Sequence, residues 1–275
     1  MALPVVEAIS AAYPHTQVAS RGRWGAELFG SLFVSNPDVF PDADVGVFLK
    51  PSLSAVVRWR GLSRRIRIGA GPWLTEALPT KGGPRRGGFT RIARALGVET
   101  DGALPRFTGR GRSAIDGGAY IGLNPWSPTP TVRWPQFAGL ALALQRQGHR
   151  VVFFAGPAEE GPVREMAGTF LVVGGLSLPD FAATLSQCRL FVSNDSGAAH
   201  FAASCGVPVL MTHGSTAAER TGVGHAIDAG PLWCRPCYGK SCAWKTPCMT
   251  SISLESVLRS VEAILGSDSR QALRT

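Results

Sequence analysis

Residues 190–210 read LFVSNDSGAAHFAASCGVPVL, and this stretch decides the fold. Leu190, Phe191 and Val192 form a short apolar run, the pattern of a buried strand. Ser193, Asn194, Asp195, Ser196 and Gly197 break it with residues that cap helices and tolerate unusual backbone angles. Ala198 to Cys205 is a small-residue helix, stopped by Gly206 and Pro208 before the next apolar strand. A strand, a polar turn, a helix and a strand make one unit of an open parallel sheet, whose ligands bind beyond the carboxyl ends of the strands. The Asp195-Ser196-Gly197 turn falls at such an end. Gly197 lets a phosphate approach the backbone, Ser196 adds a hydroxyl, and His200 follows about one helical turn on. For the turn taken alone, the competing account is that Asp195 or Ser196 only caps the helix.

Outward from this unit, the second half of the chain keeps alternating. Strands are expected at 119–123, 151–155 and 170–173, and helices at 134–148, near 163–168, at 180–188 and at 254–265. The fold class is therefore α/β, with a doubly wound parallel sheet in this half. The first half begins with a helix at 2–12, followed by strands at 16–19, 45–49 and around the basic run Arg64, Arg65, Arg67. A helix is expected at 51–61, a loop at 80–88 and a helix at 89–96. Residues 100–118, rich in glycine and poor in apolar side chains, divide the chain into domains 1–112 and 113–275.

The formal charge is +9 and the sequence pI about 9.8, carried mostly by arginine because the only lysines are Lys50, Lys81, Lys240 and Lys245. Such a balance favours anionic partners: nucleotide phosphates, an acidic membrane surface or nucleic acid. No apolar run is long enough to span a bilayer, and the first residues lack the pattern of a secretory signal, so a cytoplasmic protein is expected. Cys234, Cys237, Cys242 and Cys248 have a spacing able to wrap a tetrahedral zinc ion, the alternative being reduced thiols on a packed loop. Cys188 and Cys205 read as core residues.

Asp195, Ser196, Gly197 and His200 form a D-S-G-x-x-H turn that resembles the signature of glycosyltransferase family 9, the heptosyltransferase group of lipopolysaccharide core synthesis. Asn124-Pro125-Trp126-Ser127 through Arg133-Trp134-Pro135 resembles a second block of that family, and the 234–249 cysteine segment a third. The resemblance implies a GT-B-like architecture of two Rossmann-like domains, the N-terminal one lacking its first strand. It implies donor-binding roles for Ser127 and Arg133 on the diphosphate, Glu159 on the ribose and Leu176 at the adenine, beside Asp195, Ser196, Gly197 and His200. The family's second block usually carries its lysine two residues before the tryptophan, where this chain has Val132. The family's general base lies on a Gly-Asp loop that would fall upstream of Met1, so no catalytic residue is assigned.

The implied reaction is inverting transfer of a heptose or related sugar from a nucleoside diphosphate donor, ADP-heptose foremost, to a lipopolysaccharide core or similar glycolipid. No cofactor is required, and the acceptor would place the protein at the inner face of the inner membrane. A second reading is a non-catalytic nucleotide-sugar-binding relative. A third, a basic zinc-containing nucleic-acid-binding protein, fits poorly because the arginines are scattered without interleaved aromatics, so no nucleic-acid partner is expected.

Overall fold

In the computed structural model the apolar residues of the second half sort by strand periodicity into two cores. The described residues are 3–13, 15–16, 18–19, 33–34, 45–48, 64–68, 76–78, 91–99, 107, 111–220 and 223–272. They divide into two compact units, Met1–Pro105 and Arg106–Thr275. The helix expected at 51–61, the loop at 80–88 and the side chains of Arg64, Arg65 and Arg67 lie outside the described residues.

In the first unit, helix α1 (Leu3–Ala12) precedes β1 (Val18–Ala19) and β2 (Phe33–Val34), which pair in parallel. Strands β3 (Val45–Phe48), β4 (Arg64–Ile68) and β5 (Glu76–Leu78) form a second parallel sheet, and residues 91–95 are helical. Ile66, Ile92 and Ala93 are fully buried, with Ala8 and Ile9 of α1 packed against them.

In the second unit, β6 (Tyr120–Asn124), α2 (Phe137–Arg146), β7 (Val151–Ala155), α3 (Glu160–Ala167), β8 (Leu171–Gly174) and α4 (Leu178–Leu185) alternate as expected. They are followed by β9 (Cys188–Asn194), α5 (Gly197–Ser204), β10 (Val209–His213), β11 (His225–Asp228), the short α6 (Pro247–Thr250) and α7 (Leu254–Ala272). The six strands are all parallel in the order β11-β10-β9-β6-β7-β8. Counted from β6, this is the doubly wound order 3-2-1-4-5-6, and its switch point lies between β6 and β9.

Alternate residues serve opposite faces of the sheet. Ile121, Leu123, Val151, Phe153, Leu190, Val192 and Leu210 pack with α2, α3 and α7, while Tyr120, Val152, Phe154, Phe191, Val209 and Met211 pack with α4 and α5. Gly122 lies on the second face because the Phe154 and Phe191 rings, 5.6 Å apart, close over it. A Cβ there would come within 2.8 Å of the Phe191 ring.

Several boundaries differ from expectation, and one strand is new. The helix expected from Trp134 begins at Phe137: Pro135 disfavours helical geometry at the residue before it, and the Trp134 N–H is bonded to Asn194 Oδ1 at 2.9 Å. The helix expected to reach Cys188 ends at Leu185, and Cys188 opens β9, where burial pushes its thiol up to about 12. The last helix runs on to Ala272, and the edge strand β11, largely exposed, was not anticipated. Among the described residues no helix is long and apolar enough to cross a membrane.

Candidate functional site

At the switch point the strand ends are joined by a buried polar network. Parallel pairing sets Asn124 of β6 opposite Ser193 of β9, and Asn194 of β9 opposite Thr212 of β10. All four are buried, so each must find its partners within the fold. Asn194 donates to Pro125 O at 2.7 Å, while its Oδ1 accepts from Trp134 N at 2.9 Å and Thr212 Oγ1 at 3.3 Å. Asn124 donates to Phe154 O, and its Oδ1 lies 3.2 Å from Ser193 Oγ and 3.3 Å from Ser196 Oγ. Asn194 therefore braces β9 against the 125–134 loop, and Asn124 ties β6 to β7 and to the turn.

That bracing sets the start of α5. Ser196 is its N-cap, accepting from Ala199 N at 3.3 Å, so the capping account of this serine holds. The role does not exclude binding, because first-turn N–H groups point outward and attract anions. A Cβ built on Gly197 meets nothing within 4 Å, so the helix entrance is open.

Asp195 is flanked by two imidazoles, with His200 Nε2 3.7 Å from Oδ1 and His213 Nδ1 3.9 Å from Oδ2. Burial pushes the Asp195 carboxyl up, but hydrogen bonds from His200 and Thr216 and the charge of His213 outweigh it and hold it below the usual carboxylate range. Such a group is a weak proton acceptor near neutral pH. His213 is fully buried, and burial drives its pKa below the ordinary imidazole value against the pull of Asp195 and Asp228. Among the described residues its Nε2 has no partner, and neither does the buried Nδ1 of His200.

The 125–134 loop supplies the cation. Arg133 stacks on Trp126 at 3.6 Å and donates through Nε to Ser127 O at 2.6 Å. Among the described residues its two terminal nitrogens have no acceptor, which leaves half of its fork for an anion. Burial lowers its pKa, and Glu159 acts in the opposite direction. Ser127 is itself buried, and its Oγ accepts from Thr129 N, so it shapes the loop from within. Glu159 accepts from Gly156 N at 2.8 Å and closes its own turn through Oε2. Leu176 is half-buried against the aromatic face that holds α4 and α5.

The cysteine segment is held by Arg235. Its Nε donates to Gly214 O, and its terminal nitrogens reach the Asp228 carboxylate and the carbonyls of His213, Thr216 and Gly230. The hydrogen bond it donates to Asp228 raises the guanidinium's pKa. Thr131 Oγ1 donates to Gly239 O and Tyr238 N to Ser215 O, tying the segment to the mouth of the sheet. Among the described residues no three His, Cys, Asp or Glu side chains gather as a metal cage. Of the four cysteines Cys234, Cys237, Cys242 and Cys248, the last is buried beside Met249 under Gly214 and Cys237 is exposed.

The structure brings the Asp195–His200 turn and the loop carrying Arg133 to the same end of the sheet, together with Asn194, His213, Thr212 and Arg235, to which the sequence reading gave no role. Their signal lies in strand register, which pairs residues distant in sequence.

Residues 103–246 match the family model described as glycosyltransferase family 9 (heptosyltransferase). Over 166 residues the chain is 29% identical to lipooligosaccharide heptosyltransferase 2 of Campylobacter jejuni, covering 54% of this chain and 52% of that protein. The chain therefore spans about half the length of this curated relative. Its fold resembles the crystal structure of a family 9 glycosyl transferase from Veillonella parvula, with a TM-score of 0.68 at 20% identity over 97% of this chain and 93% of that one. It also resembles E. coli ADP-heptose lipopolysaccharide heptosyltransferase II, with a TM-score of 0.67 at 16% identity over 98% and 95% of the two chains.

Proposed function

Since the chain belongs to glycosyltransferase family 9, we propose that it transfers a heptose or related sugar from a nucleoside diphosphate donor, ADP-heptose foremost, to a lipopolysaccharide core or similar glycolipid acceptor, inverting the anomeric centre. The observation that carries this reading is the open, amide-braced start of α5 at the switch point of the sheet. As the glycosidic bond to the diphosphate breaks, negative charge grows on the phosphate oxygens. Oriented N–H groups at Gly197 and the free end of the Arg133 fork are the groups that would take it. Trp126 holds the Arg133 guanidinium in place, and Glu159 retains lone pairs for ribose hydroxyls. Asp195, held ionised, accepts sugar hydroxyls in this scheme.

A second reading, a nucleotide-sugar-binding protein without transfer, needs only the donor groups at the start of α5 and on the 125–134 loop. Calorimetric titration with ADP and ADP-heptose tests the shared donor site, and product formation with a glycolipid acceptor separates the readings. Removing a carboxylate that bonds a ligand costs about 1.5–3 kcal/mol, or about 10- to 150-fold in affinity. Glu159→Ala is expected to weaken both ligands by that amount, and Asp195→Ala to weaken ADP-heptose more than ADP. A folded protein that binds neither ligand would overturn the donor site.

A further inference from the structure

The segment between β11 and α6 exposes large aromatic side chains on a fixed frame. Trp233 is 82% exposed and Trp244 62% exposed, and their rings meet edge to face with centroids 5.0 Å apart. Tyr238, 37% exposed, belongs to the same segment. Two indoles facing water are a cost to a folded chain unless something covers them. This pair is held out by its surroundings: Leu232 packs into the core beside Trp233, and Arg235 and the Thr131–Gly239 and Tyr238–Ser215 bonds fix the backbone.

The charge around the pair has one sign. From Ala229 to Ser253 the chain contains Arg235, Lys240 and Lys245 and no Asp or Glu. Asp228 neutralises Arg235, whereas Lys240 and Lys245 are exposed and form no ion pair among the described residues. Lys245 directly follows Trp244.

We infer that Trp233 and Trp244, flanked by Lys240 and Lys245, form a docking surface for an anionic phospholipid bilayer. Indole rings partition to the polar–apolar boundary of a bilayer, where the ring is half desolvated and its N–H stays bonded. Lysines beside them gain from the negative potential of an acidic leaflet, in keeping with the overall charge of +9. The Gly239–Thr131 bond ties this surface to the loop that carries Arg133, two residues after Thr131. The surface is independent of the donor chemistry.

The test is sedimentation of the full chain with phosphatidylcholine vesicles, with and without phosphatidylglycerol, with no nucleotide present. Binding to the anionic vesicles and little to the neutral ones is expected. Trp233→Ser with Trp244→Ser, and separately Lys240→Glu with Lys245→Glu, should each lower partitioning by about tenfold or more. Unchanged circular dichroism and melting identify the variants as folded, and ADP titration reads the donor site separately, so either idea can fail alone. Absence of vesicle binding by the wild type, or undiminished binding by the folded tryptophan variant, overturns the inference. So does a concentration-dependent dimer that the tryptophan substitutions abolish, because the pair would then cover a second copy of the chain.

Discussion

The turn after β9 and the segment after β11 leave the same end of one sheet, yet they are held by different means. Short side chains hold the first: Asn124, Ser193, Asn194 and Ser196 reach from one strand end to the next and leave the backbone regular enough to start a helix. One long side chain holds the second, with Arg235 gathering the Asp228 carboxylate and four carbonyls around a stretch that has no regular structure from Ala229 to Thr246. A distributed network fixes the turn because each link spans only two neighbouring strands. A single hub can shape a longer loop, but much of that order then rests on one residue, with the Thr131–Gly239 and Tyr238–Ser215 bonds beside it.

The largest test of this contrast is Asn194→Ala. It strips partners from Trp134 N, Pro125 O and Thr212 Oγ1 at once, in a position with no access to solvent. At about 1–3 kcal/mol for each stranded group, the second unit should lose about 3 kcal/mol or more, read as a lower urea midpoint in tryptophan fluorescence. A loss below about 1 kcal/mol would mean that the network is replaceable and does not set the turn.

Arg235→Ala comes next, at on the order of 2 kcal/mol, because it leaves Asp228 unpaired and four carbonyls short of a donor. The damage should concentrate in the segment. Tryptic cleavage after Lys240 and Lys245 should accelerate well before the sheet melts. If the cleavage rate is unchanged, the segment is held by Cys248, Met249 and the Thr131–Gly239 bond instead.

These two regions also differ in how far the sequence revealed them. The alternation of strand and helix from Tyr120 to Leu265 was readable because strands covered on both faces appear as short continuous apolar runs between helices with one apolar face, and Asp195-Ser196-Gly197 was readable because local chemistry ends one element and starts another. Asn194 has nothing in its own neighbourhood to mark it, since its partners stand 18, 60 and 69 residues away and only the register brings them together. The start of α2 was misplaced because Pro135 holds Trp134 out of helical geometry, so the helix begins only at Phe137. In the 229–246 segment the cysteine spacing drew attention to metal, while the residue that organises it was a lone arginine whose acceptors are mostly backbone. The edge strand β11 went unseen because its side chains are largely exposed and show no apolar alternation.

The smallest effect is expected where the two regions meet. His213 ends β10 with its ring facing Asp195 and its carbonyl on Arg235, so it belongs to both. The groups that act on it are Asp195, Asp228, Arg235 and His200, and burial, the largest influence, keeps its pKa below the ordinary value. A histidine with a lowered native pKa binds protons more readily when unfolded, so its stabilising contribution is full above the ordinary imidazole pKa of about 6.5 and is lost as pH falls toward the native value. Asp195, also lowered, has the same sign, but its contribution is lost only below the ordinary carboxylate range near 3.9. Any acid softening between about pH 7 and 5 that His213→Phe removes is therefore that of one imidazole, with a slope of at most about 1.4 kcal/mol per pH unit. Melting curves at pH 7.5 and 5.5 for wild type and variant read it directly. An unchanged slope in the variant would show that the ring does not titrate with unfolding. If the variant weakens ADP-heptose binding but leaves tryptic cleavage at Lys240 and Lys245 untouched, the ring serves the Asp195 turn alone, and the two regions share a residue without sharing their stability.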